Sequence, residues 1–71
     1  MKVYVITFEM SYEGETIHCV TSTLDKAREY VKSLDDINSY RYIIPWNNGV
    51  ESYARSKNIC DGYYIQEYEV I

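Results

Sequence analysis

His18, Cys19, Cys60 and Asp61 are the residues whose types could hold a metal ion, since zinc takes four nitrogen, sulfur or carboxylate donors in tetrahedral reach. Neighbours on a strand point to opposite faces, so His18 and Cys19 are expected not to grip one ion. Cys60 with His18 would supply a thiol nucleophile and a base, but neither lies in a local signature, and single Cys and His residues are common in small domains. Glu67 and Glu69 share one face of an alternating segment, as an acid/base couple would, and solvated strand charges explain them better. Gly14, Gly49 and Gly62 stand alone, so no glycine-rich loop is present to cradle a phosphate. Lys26, Arg28 and Lys32 could track phosphates, yet Asp25 and Glu29 are interspersed with them, and pairing along a solvated helix face is a sufficient account. The expectation is a protein that is not an enzyme, with no catalytic residue, no cofactor and no metal.

Tyrosine is the unusual residue: there are nine, against one Phe and one Trp. Tyr forms strands well, and cross-strand aromatic pairs stabilise a small sheet. It also brings rigid contact area with a polar tip, which is why it is enriched at interfaces. The candidate interface drawn from the sequence is Tyr4, Ile6, Phe8, Glu9, Tyr40, Tyr42, Trp46, Tyr53, Tyr64 and Tyr68.

The elements that must carry these residues are few, because 71 residues leave room for a single domain over 1–71 with one core. Residues Lys2 to Met10 read as a strand apolar on both faces, with Val3, Val5 and Thr7 on one and Tyr4, Ile6 and Phe8 on the other. Turn residues 11–15 lead to Thr16–Thr21, giving a hairpin over 2–21. Ser22 or Thr23 caps a helix whose stripe is Leu24, Ala27, Val31 and Leu34, with Lys26, Glu29 and Lys32 on the wetter face. Pro45 confines Tyr40–Trp46 to an edge strand or an early stop. Asn48-Gly49 then predicts a second hairpin between 40–47 and 50–55, against which Val50, Tyr53 and Ala54 also fit a short helix. Gly62 opens a last alternating strand over 63–71. The fold class is α+β: a small antiparallel or mixed sheet with one amphipathic helix on one face.

The formal charge of −4 gives no general attraction for phosphate backbones or anionic lipid, so nucleic acid is disfavoured as a partner and a membrane is not expected. The apolar run before Glu9 is too short for a signal peptide or a span, so the expected address is the cytoplasm, that of the host cell if the chain is phage-encoded. A cytoplasmic address keeps Cys19 and Cys60 reduced, as two buried and dispensable thiols.

The opening Met1-Lys2-Val3-Tyr4-Val5-Ile6-Thr7, the helix entry Ser22-Thr23-Leu24-Asp25-Lys26-Ala27 and the ending Tyr64-Ile65-Gln66-Glu67-Tyr68-Glu69-Val70 resemble a family of small uncharacterised β-β-α-β domains of bacteria and their phages. The segment from Asp36 to Asp61 departs from that pattern like an insertion. The resemblance implies no activity. With the tyrosines it leads to the expectation of a protein-interaction module, an accessory protein of a phage or mobile element that binds and inhibits a host factor, with anti-CRISPR-like counter-defence as one form. Glu9, Glu13, Glu15, Glu67 and Glu69 are then expected near one rim, competing for a basic groove. The alternatives are a housekeeping homodimeric domain and a nucleic-acid binder that stacks bases on tyrosines. Self-association is expected on its own ground, because one helix cannot cover both faces of the first strand.

Overall fold

A computed structural model describes residues 1–10, 14–55 and 61–70. Strands β1 (Lys2–Met10) and β2 (Gly14–Thr21) precede helix α1 (Leu24–Lys32) and a 3-10 turn (Ile37–Ser39). Strands β3 (Tyr42–Asn47), β4 (Val50–Ala54) and β5 (Gly62–Glu69) follow. All neighbours are antiparallel, in the order β2-β1-β5-β4-β3, so the first and last strands meet in the middle and β2 and β3 form the edges.

Local chemistry explains the elements. Thr23 is the helix cap: its Oγ1 accepts a hydrogen bond from the Lys26 amide at 3.1 Å, and Asp25 sits at the positive end of the dipole. The apolar stripe runs on to Leu34, but the helix stops at Lys32. There the Ser33 amide donates to both Glu29 and Tyr30 carbonyls at 3.1 Å, and the Ser33 hydroxyl donates to Tyr30 O at 2.6 Å. The segment 50–54 is a strand, and Asn48 and Gly49 turn the chain with φ of 53° and 82°. Two successive left-handed residues match the twist of a two-residue hairpin, and Asn and Gly tolerate them best. Pro45 lies in β3, at the edge, where its missing N–H costs no ladder bond.

One buried cluster holds Ile6, Ala27, Val31, Tyr40, Tyr53, Tyr63 and Ile65, with Tyr4, Phe8, Cys19, Leu24, Tyr30, Leu34, Ile37 and Trp46 packed against it. All four stripe residues of the helix belong to it. Register sets Ile6 beside Ile65 and Cys19, and Phe8 beside Tyr63, so Tyr4, Ile6 and Phe8 share one face of β1, on the side of the buried cluster that also includes Ala27 and Val31. Tyr63 is the hub of the aromatic packing, with ring centroids 4.8 Å from Phe8, 5.1 Å from Tyr40 and 5.5 Å from His18.

Alternation fails at two places, in β3, where the register against β4 shifts between Ile44 and Asn47, and in β2. The β1–β2 register shifts between Ile6 and Thr7, so that Ile6 faces Cys19 and Thr7 faces Ile17, leaving His18 as the extra residue. The His18 ring therefore turns to Phe8 and Tyr63 on the same side as Cys19, not the opposite side that simple alternation predicts. Cys19 is a half-buried free thiol. Cys60 lies outside the described residues, and among those described no three His, Cys, Asp or Glu side chains gather as a metal-binding group.

Candidate functional site

Following the register across the sheet separates two faces of different character. On the side of the buried cluster the rows are Thr16–Phe8–Tyr63–Tyr53–Ile43 and Cys19–Ile6–Ile65–Glu51. On the other side they are Ile17–Thr7–Tyr64–Ser52–Ile44 and Val20–Val5–Gln66–Val50–Asn47, each crossing all five strands. Val3 and Tyr68 continue that second face at one end, and Glu15, Glu9, Gly62, Ala54 and Tyr42 at the other.

The second face is apolar and open. Ile17 is 66% exposed, Ile44 62% and Val20 54%, and Tyr42, Val50 and Tyr68 are exposed with them. Among its described residues the charges are Glu9 and Glu15, cross-strand neighbours at one corner; the middle rows carry none. Thr7 and Ser52, which flank Tyr64 near the middle of this face, are buried. Thr7 Oγ1 has no hydrogen-bond partner among the described residues.

The ten sequence-predicted residues divide between the two faces. Tyr42, Tyr64, Tyr68 and Glu9 lie on the open one. Ile6, Tyr40 and Tyr53 are buried, and Tyr4, Phe8 and Trp46 pack against the same cluster, so these six serve the core. Tyr4 and Trp46 meet there at 5.9 Å between ring centroids. Sequence reasoning missed Ile17, Val20, Ile44 and Val50 as surface; Ile17 and Val20 share a face only through the bulge at His18, which simple alternation does not signal.

The five glutamates do not form one rim. Glu9 and Glu15 mark one end of β1, while Glu67 and Glu69 lie at the other, paired with the Lys2 ammonium at 3.0 Å and the terminal amine at 3.4 Å. Glu13 is outside the described residues. Arg28 also departs from its expected place on a solvated helix face. Its Nη2 and Nε donate to Glu51 Oε1 and Oε2 at 2.9 and 3.2 Å, and the Tyr53 hydroxyl donates to the same carboxylate. Burial alone pushes the Glu51 carboxyl up, but the bonds from Arg28 and Tyr53 outweigh it and hold it below the ordinary carboxylate range.

Comparisons of the chain with protein-family models, with curated proteins and with solved structures find no match. The site therefore has to be read from its own chemistry. No helix among the described residues is long and apolar enough to cross a membrane.

Proposed function

We propose that this chain is a non-catalytic protein-interaction module that works as a homodimer, joined through the open face of its sheet. The helix is then the cover of one face and a second copy the cover of the other. The observation that carries the reading is the pair of uncharged rows, Ile17–Thr7–Tyr64–Ser52–Ile44 and Val20–Val5–Gln66–Val50–Asn47, running the width of the sheet with Ile17, Ile44, Val20 and Val50 exposed.

Size supports it. Five strands about 4.8 Å apart, over about 20 Å of strand length, give a plane of roughly 480 Å² before side-chain relief is counted. A standard interface takes about 800 Å² of accessible surface from each partner, so the face is of the right order for a stable dimer. Charge supports a second copy over another partner. The middle rows offer no charge to steer or select a charged surface, whereas an identical apolar face is complementary to them. A two-fold axis lying in the face, along or across the strands, sets each Glu9–Glu15 corner over an uncharged corner of its mate. In its finer form the proposal is an accessory protein of a phage or mobile element that binds and inhibits a host factor; the resemblance of the two ends and the helix entry is its support.

Ile43 and Ile44 supply the test, because they are adjacent, both more than half exposed, and on opposite faces. Light scattering at micromolar concentration should give twice the 8.4 kDa chain mass. Ile44→Glu should yield folded monomer and Ile43→Glu should leave the dimer intact. A wild-type monomer at every concentration, or equal loss in both variants, would overturn the face-to-face dimer.

A further inference from the structure

A second surface lies on the helix side of the sheet, away from the proposed dimer face. Between the end of α1, the 3-10 turn and β3 runs an open groove of about 660 Å³, within the size range of small-molecule sites. Its walls are apolar: Ile37, Ile43 and the rings of Tyr40 and Tyr53. The two hydroxyls are committed elsewhere, since Tyr40 Oη accepts from Arg55 Nη2 at 3.1 Å and Tyr53 Oη donates to Glu51. Ile43 is 56% exposed, an apolar surface left open at the groove's edge.

The groove's charges are of one sign. Lys32 and Arg41 line it, no carboxylate does, and neither cation has a carboxylate partner among the described residues. Arg41 spends only its Nε–H, on the Asn38 carbonyl at 3.2 Å, which anchors the side chain and leaves the two terminal nitrogens of its fork. In a chain of net charge −4, two unneutralised cations beside an apolar wall form a local exception to the overall field. At physiological ionic strength a contact site feels the charges within about 8 Å more than the distant remainder.

We propose that this groove binds a small amphipathic carboxylate, an apolar or aromatic body lying along Ile37, Ile43 and the tyrosine rings with its anionic end held by Arg41 and Lys32. Arg41 suits the carboxylate because its planar fork can donate two parallel bonds, and Lys32 adds a point charge. Binding changes no covalent bond. The site uses no residue of the open sheet face, so its failure would leave the dimer reading standing, and the reverse.

The probe is 3-phenylpropionate, titrated into the 71-residue chain and followed by amide and side-chain NMR shifts. Its alcohol, 3-phenylpropanol, serves as the neutral isostere, and acetate as the charge without the body. Shifts should concentrate at Ile37, Tyr40, Arg41 and Ile43, with the alcohol and acetate each binding at least about tenfold more weakly. Lys32→Gln and Arg41→Gln, both at exposed positions, should each weaken the acid by about tenfold and leave the alcohol unchanged. The proposal is overturned if the acid causes no saturable shift, if acid and alcohol bind equally, or if the shifts map to Ile17, Val20 and Ile44.

Discussion

Arg28 and Glu51, 23 residues apart in the chain, meet in a two-pronged ion pair that ties the middle of α1 to β4. Glu51 is only 5% exposed, and Tyr53 supplies a third donor to its carboxylate. Because the folded state holds the Glu51 pKa below its unfolded value, the stabilisation is present above the ordinary glutamate pKa of about 4.3 and is lost as pH falls through the depressed value. Glu51→Gln should cost about 1–2 kcal/mol at neutral pH, since one charge-assisted bond becomes a neutral one and the Arg28 charge loses its mate. Denaturant unfolding of both proteins from pH 7 down to pH 2 checks this. The gap should close in acid, and a constant gap would show that Glu51 acts by shape alone.

How much of this was legible in the sequence depends on how local the signal is. Thr23 as a cap, Asn48-Gly49 as a hairpin turn and Pro45 on an edge strand each rest on a few adjacent residues, and the structure has all three. The two-sided apolarity of β1 was also legible. Which side the helix meets was not, because Val3 and Val5 suit a small helix stripe as well as Tyr4, Ile6 and Phe8 do. The choice falls to neighbouring strands: Tyr63 and Ile65 of β5 stand in register with Phe8 and Ile6, and together they form the deeper layer. Glu51 had no sequence signal at all, since its meeting with Arg28 depends on a strand order that no local pattern encodes. The bulge at His18 likewise leaves no trace in the residue alternation.

Tyr63 should show its burial in an alkaline titration. Its hydroxyl donates to both oxygens of Asp36 at 3.1 Å, and burial first, then the Asp36 carboxylate, push its pKa up to about 12. Tyr53 is raised as well, by burial and by Glu51. A group whose pKa is raised by folding stabilises the fold fully below its unfolded value, about 10, and that contribution is lost as pH rises through the folded value. Absorbance at the tyrosinate band should therefore show a late component from Tyr63 and Tyr53, with unfolding in the same window. Tyr63→Phe should remove one late titration and part of the alkaline instability; a titration with no late component would contradict the arrangement.

Gly62 is required for a steric reason. It pairs with Ala54, and a Cβ placed on it would run into the Tyr53 carbonyl oxygen and lie 3.1 Å from Ala54 Cα. Those are backbone atoms, which cannot rotate away as a side-chain tip would. Gly62→Ala should cost about 1–3 kcal/mol through forced separation of β4 and β5. Thermal melting reads the loss, and hydrogen exchange should place it at the β4–β5 ladder; an unchanged melting temperature would show that the strands are not so closely set.

Thr7 offers the opposite case, a substitution expected to help. It sits at the centre of the open face, between Ile17 and Tyr64 in register, and is only 2% exposed. Its Oγ1 finds no hydrogen-bond partner among the described residues, so the hydroxyl is desolvated without return. Leaving such a group unpaired costs about 1–3 kcal/mol, whereas Val has nearly the same shape and nothing to satisfy. Thr7→Val should raise stability by about 1 kcal/mol in denaturant unfolding, a gain at the lower end of that cost. If the open face is closed by a second copy, water is pushed further from this position and the variant should tighten the dimer as well. Measuring unfolding midpoint and dimer dissociation on the same samples separates the two effects. A fall in stability would mean that the Thr7 hydroxyl has a partner, and that the centre of the face is wetter than its burial implies.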